Sequence, residues 1–127
     1  MNHFKKHFTL EEARAALPEL RRIFKDAHAR RERARRADEK LGALQRKTGA
    51  DLGGPPLNEL LRDLQQMNAQ MERVQKLGVQ VKDFERGLVD FPHLREGREV
   101  FLCWELEEED IEFWHDIDCG YAARERI

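Results

Sequence analysis

MERVQKLGVQVKDFERGLVDFP, residues 71–92, is where the periodicity of this chain changes. As far as Leu77 the apolar residues recur at helical spacing. From Val79 onward, Val79 and Val81 flank Gln80, and β-branched or aromatic residues follow, which is the pattern of strands. Gly78 lies between the two regimes and reads as a helix C-cap, where a residue without Cβ takes the left-handed conformation. A helical half followed by a sheet makes the chain α+β.

Toward the N-terminus, the helix that ends at Gly78 extends over 57–77. It shows Leu57, Leu60, Leu61, Leu64, Met67, Met71, Val74 and Leu77 on one stripe. Gly49, Gly53, Gly54, Pro55 and Pro56 break the chain before it and predict a turn over 48–56. A first helical region covers 9–48. Thr9-Leu10-Glu11-Glu12 is a capping box at its start, with Phe8 placed to staple onto Ala13 or Leu17. Pro18 has no amide hydrogen and disfavours the α conformation at Leu17, so a kink or restart is expected there. Beyond it, Ala13, Leu20, Ala27, Ala34 and Leu41 keep heptad spacing, while the companion register of Leu10, Leu17 and Phe24 runs on into Arg31 and Asp38. The two helices are therefore expected to pair as a loosely packed antiparallel hairpin. Exposed pairs such as Asp26 with Arg30 and Glu32 with Arg36 support the first helix.

Toward the C-terminus, Val79 to Phe84 and Leu88 to Phe91 form one expected hairpin around Glu85-Arg86-Gly87, with Pro92 ending the second strand. Glu99 to Leu106 and Ile111 to His115 form another, with Glu107 to Asp110 as its turn. Placing Leu106 opposite Ile111 pairs Trp104 with Phe113 and Leu102 with His115. That puts Val100, Leu102, Trp104, Leu106, Ile111 and Phe113 on the core face, and Phe101, Cys103 and Trp114 among acidic residues on the other. The expectation is one domain, 1–127: a first helical region 9–48, a second helix 57–77, a four-stranded antiparallel sheet of two hairpins over 79–115, and a tail 116–127.

Composition narrows the function classes. A net charge of -2 argues against a uniformly basic nucleic-acid binder, and charged residues at 38% favour long solvated helices over a thick core. The total hides an asymmetry. From Arg21 to Lys47 there are 11 basic and 4 acidic residues, whereas Glu99 to Asp118 holds 9 acidic residues and no Lys or Arg, so one region is expected to face the other, within the chain or across a dimer. MNHFKKHFTL lacks the apolar run of a signal peptide, and no stretch is long enough to span a bilayer. A cytoplasmic location is expected, with Cys103 and Cys119 as reduced thiols whose spacing fits no zinc pattern.

Several motifs carry a resemblance. Gly87-Leu88-Val89-Asp90-Phe91-Pro92, then Gly97-Arg98-Glu99-Val100-Phe101-Leu102-Cys103-Trp104, then Phe113-Trp114-His115 and Asp118-Cys119-Gly120-Tyr121, closely resemble a prokaryotic family known as domain of unknown function 2203. Phe8 to Ala13 and Leu17-Pro18-Glu19-Leu20 are similar to that family's opening. Where the family tends to carry a glycine in the turn after the Trp104 strand, this chain has Glu107 and Glu108. The resemblance supplies a family and no activity.

The residues that could carry chemistry are few. Asp90, His93, His115 and Asp118, joined by Cys103, lie near the ends of neighbouring expected strands, and imidazole with carboxylate suits a divalent transition metal. Asp and His at strand ends also commonly cap loops. Lys82, Asp83, Glu85 and Arg86 with Asp90 could supply an acid, a base and an anion clamp, or simply a charged hairpin. Arg30, Arg31, Arg33, Arg35 and Arg36 form a basic collar on several helix faces, with no aromatics interleaved to stack on bases, so nucleic-acid binding is a minor option. Trp104 reads as core. Phe101 and Trp114 read as interface anchors. His3 and His7 precede the helix cap and read as part of a disordered terminus. The resulting expectation is a cytoplasmic interaction or scaffold protein acting as a homodimer. The alternative is a small metal-dependent or acid/base enzyme centred on His115, Asp118, Asp90 and His93.

Overall fold

The computed structural model describes residues 2–49 and 54–127; residues 50–53, in the expected turn, lie outside them. The element order is α1 (Leu10–Thr48), α2 (Pro55–Lys76), β1 (Gln80–Asp83), β2 (Leu88–Arg95), β3 (Arg98–Trp104), β4 (Phe113–Asp116), a short 3-10 turn (Tyr121–Ala123) and β5 (Glu125–Arg126). The strands lie in one antiparallel sheet in the order β1-β2-β3-β4-β5. Five strands replace the expected four, because the C-terminal residues turn back and pair Glu125 and Arg126 with Trp114 and Phe113. The chain forms two compact units, one of residues 1–24 and 73–127, the other of residues 25–72.

In the first unit, the start of α1 follows its sequence signal. Thr9 N–H donates to the Glu12 carboxylate at 2.9 Å and Glu12 N–H donates to the Thr9 hydroxyl at 3.0 Å, and the Thr9 backbone N–H, helped by the Thr9 hydroxyl, holds the Glu12 carboxyl below its ordinary value. Helix continues through Pro18 without a restart, so the missing amide hydrogen costs one bond and not the element. At the end of α2, Gly78 N–H reaches Gln75 and Val79 N–H reaches Val74, a Schellman closure that needs the positive φ of 93° at Gly78.

The core lies between the sheet and the first part of α1. Leu20, Phe24, Phe91, Leu102, Trp104 and Ile111 are fully buried, Phe8 packs edge-on against Phe91 at 5.2 Å, and the Arg21 guanidinium lies over Trp104. Each fully buried large apolar side chain contributes roughly 1.5–3 kcal/mol.

Pro92 does not end β2. It sits mid-strand opposite Phe101, beyond the last residue that β1 pairs, so that flank of β2 is an edge where a missing N–H is tolerated. Phe8 takes the edge instead: its N–H donates to the Pro92 carbonyl at 2.6 Å, and the His93 ring N–H donates to the Phe8 carbonyl at 2.6 Å. The next turn is tight. Arg95 pairs with Arg98 around Glu96 and Gly97, both at positive φ (53° and 80°), as a two-residue hairpin loop of type I′ requires.

The register between β3 and β4 departs from expectation by one residue. Leu102 faces Trp114 and Cys103 faces Phe113. Ile111, fully buried, lies outside any strand, and the Trp104 indole N–H donates to the Glu108 carbonyl at 2.9 Å, so the connection 105–112 folds inward before β4 begins. A slip of one residue exchanges the faces of a whole strand. Trp114 therefore shares the inner face with Leu102 and Trp104, while Phe113 and His115 share the outer face with Phe101 and Cys103.

In the second unit α1 and α2 run antiparallel. Asp63 receives Arg30 at 3.2 Å and Arg33 at 2.9 Å, and the Gln70 amide donates to Asp26. On α1 in this unit Ala27, Arg30, Ala34, Ala37 and Leu41 are buried or half-buried, as are Asp26, His28, Glu32 and Gly42, whereas Arg31 and Asp38 are exposed. The second register thus runs through Arg30 and Ala37, one residue before the expected Arg31 and Asp38.

Candidate functional site

Alternation along the strands assembles a polar cluster on the outer face. Asp90 on β2 stands opposite Cys103 on β3, and His115 on β4 stands opposite Phe101, two residues before Cys103. Their side chains converge: one donor atom from each of Asp90, Cys103 and His115 lies within 4.8 Å of the other two. All three are shut off from solvent, at 2, 1 and 2% exposure.

The His115 ring is held at both ends. Its Nδ1–H donates to the Asp116 carbonyl at 2.8 Å, and Nε2 stands 3.1 Å from each Asp90 carboxylate oxygen. A carbonyl oxygen only accepts, so Nδ1 carries a proton, and the contact at Nε2 requires a proton shared with Asp90. Burial, reinforced by the nearby Asp90 carboxylate and partly offset by Arg124, pushes the Cys103 thiol up to about 12. At neutral pH that sulfur is a thiol and no nucleophile.

Both ends of the chain cover this face. At one side Phe4 packs on Phe101 at 5.3 Å, and Phe101 in turn on His115 at 5.5 Å. The segment is latched by Glu99, whose carboxylate accepts from the His3 backbone N–H at 2.7 Å, the His3 ring at 3.0 Å, the Phe4 N–H at 3.1 Å and the His7 ring at 2.8 Å. Burial pushes the Glu99 carboxyl up, but these donors outweigh it and hold it down at about 2. His3 and His7 are therefore ordered parts of the fold, contrary to the expectation of a disordered terminus. Their anchor, a glutamate 92 and 96 residues away in sequence, has no local signal.

At the other side Arg124 places Nη1 4.0 Å from Cys103 Sγ and 3.1 Å from Glu108, and lies between the Phe113 and Tyr121 rings. Arg86 also lies over the Tyr121 ring, 4.1 Å from its centre, and pairs with Glu105 at 2.5 Å. The acidic segment is met by arginines of its own unit, with Arg14 on Asp110 as well. Collar residues Arg30, Arg33, Arg35 and Arg36 pair with Asp26, Asp63, Glu32 and Glu39 within the second unit.

Of the expected site residues, Asp90, His115 and Cys103 come together. His93 and Asp118 do not join them. His93 is on the inner face bonded to Phe8, and Asp118 follows β4 on the wall of a cleft of about 620 Å³ shared with Asn2, His3 and Arg98. Phe101 is covered by Phe4 from its own chain. Trp114 lies on the opposite face, with the Arg95 guanidinium 4.6 Å from its ring centre. Of the charged β1–β2 hairpin, Lys82 lies over Phe101, and Arg86 serves Tyr121 and Glu105. Among the described residues no helix is long and apolar enough to cross a membrane.

The family of uncharacterised conserved proteins DUF2203 matches residues 6–127. No curated protein and no solved structure matches the chain. With nearly its whole length matched, the chain belongs to the DUF2203 family.

Proposed function

We propose that the chain is a protein-interaction domain that works as a homodimer, two copies meeting through the outer surface of α2 in a coiled-coil-like bundle. The observation that carries this reading is a second apolar stripe on that helix. Positions 57, 61, 64, 68 and 71 follow heptad spacing, with only Asn68 polar, and Leu61 and Leu64 at its centre are 47 and 41% exposed. The stripe that α2 turns toward α1, through Leu60, Asp63, Met67 and Gln70, is less apolar than this exposed one. A helix with one neighbour needs one stripe; helices in four-helix bundles carry apolar residues toward more than one.

A second copy is the occupant that the stripe fits. A two-fold axis at Leu64 sets Leu57 of one copy beside Met71 of the other, each seven residues from the axis, in an antiparallel contact between identical helices. Residues 25–72 hold 10 basic and 8 acidic side chains, so two copies do not strongly repel. The same pairing of arginines with carboxylates leaves little uncompensated positive charge for nucleic acid.

An enzyme centred on Asp90 and His115 has less support, because substrate has no path to side chains that the chain itself covers. The test is the double substitution Leu61→Glu, Leu64→Glu, followed by sedimentation velocity. The variant is expected to sediment as a single 15.0 kDa chain with unchanged helical circular dichroism, where the parent sediments as a dimer. Equal behaviour of parent and variant would overturn the proposal.

A further inference from the structure

We infer that Asp90, Cys103 and His115 form a closed site for one divalent transition ion of the zinc class. The argument starts from donor chemistry. Sulfur, imidazole nitrogen and carboxylate oxygen are the three protein donors that zinc takes, and a sulfur donor disfavours magnesium and calcium. Zinc bonds of about 2.0–2.3 Å place neighbouring donors roughly 3.3–3.8 Å apart. The three side chains, already within 4.8 Å of one another, need only a small contraction. The two Asp90 oxygens, equidistant from His115 Nε2, can both bind and so make four donors from three residues.

Orientation is the second argument. A ring whose Nδ1–H is held by a backbone carbonyl presents Nε2 as the binding nitrogen, which is how metal-ligating histidines are commonly fixed. His115 has that arrangement, with the Asp116 carbonyl as its anchor, and Nε2 points at the carboxylate. Coordination releases two protons to solvent, one from the Cys103 thiol and the one shared between Asp90 and His115.

Charge is the third. A dication with one thiolate, one carboxylate and a neutral imidazole sums to zero, which suits a face closed by Phe4 and Phe101 on one side and Arg124 on the other. The absence of an open approach identifies the site as structural, stabilising the sheet by linking β2, β3 and β4. The inference does not depend on the proposed dimer.

The test uses cobalt(II) on the full chain carrying Cys119→Ser. The sequence has two cysteines, so in this variant any thiolate-to-cobalt signal must arise from Cys103. Cys119 is exposed, so its substitution is expected to leave the fold intact. Metal-free protein is refolded with excess cobalt(II) and followed by absorption. The expected result is a near-ultraviolet charge-transfer band with strong tetrahedral visible bands, saturating at one ion per chain and bleached by zinc. Zinc should also raise the melting temperature relative to chelator. A folded Cys119→Ser chain that shows no charge-transfer band in excess cobalt overturns the inference, as does a band that survives the further change Cys103→Ser.

Discussion

Asp90 and His115 meet across a strand that lies between them: β2 and β4 are not neighbours, yet His115 Nε2 stands 3.1 Å from both Asp90 oxygens above β3. The contact ties three strands with one buried polar pair. Removing Asp90 leaves the buried His115 Nε2 without its partner, and removing His115 leaves the buried Asp90 carboxylate without its imidazole, at a cost of about 3–5 kcal/mol, whereas replacing both by apolar groups of similar size costs far less. Asp90→Leu and His115→Phe should each destabilise metal-free protein strongly, and the double variant by much less than their sum. Urea unfolding of the four proteins in chelator measures this, and additive losses would show that the pair does not act as a unit.

The Glu99 latch predicts an acid limb to stability. A glutamate in the unfolded chain titrates near about 4.3, whereas Glu99 in the fold is held at about 2. A carboxyl lowered by folding contributes stability that is fully present above the unfolded value and is lost as pH falls toward the folded one. The advantage of the parent over Glu99→Gln should therefore be constant above about pH 5 and shrink between about pH 4.5 and 2. Melting curves across that range, with amide exchange at His3 and Phe4 as the local reporter, check it. A difference that grows on acidification would contradict the assigned donors.

Cys103 and Cys119 should separate cleanly in reactivity. With the Cys103 thiol pushed up to about 12 and shut off from solvent, native protein at pH 8 in chelator should react with a thiol reagent at Cys119 alone, releasing the second equivalent only on unfolding. An unfolded thiol ionises near about 8.5, so Cys103 also predicts a loss of stability as pH rises from there toward 12, absent in Cys103→Ala. Two fast equivalents in native protein would show that the covers over the site open readily.

Gly87 offers a steric prediction. At φ 59° it lies in the left-handed region, and a Cβ there would stand 2.8 Å from Leu106 Cβ. Gly87→Ala should destabilise by about 1–3 kcal/mol, measured by urea unfolding, while the nearby exposed change Glu85→Ala should have little effect.

What the sequence revealed follows from where its signals are local. The change of period at Gly78, the Thr9 to Glu12 capping box and the register through Ala27, Ala34 and Leu41 are set by neighbours within a turn or two. The outer-face site depends on strand pairing, and one residue decided it. Ile111 buries itself within the connection instead of joining β4, so His115 turns toward Asp90 and Cys103 and away from the core. His93 could have been separated from Asp90 by parity alone, since residues three apart in one strand point to opposite faces. Asp118 lies beyond the strand, within the turn that the Cys119 N–H closes on the Asp116 carbonyl. The closing partners Glu99 and Arg124 reach distant chain segments, and nothing in the spacing of charges announces which arginine meets which carboxylate.

The homodimer is tested most directly by sedimentation equilibrium of the unmodified chain over a concentration series from micromolar to millimolar. Assembly through the second stripe of α2 predicts a mass that rises to and then holds at two chains of 15.0 kDa. A mass of one chain throughout the series would contradict it and leave Leu61 and Leu64 as exposed leucines without a partner copy.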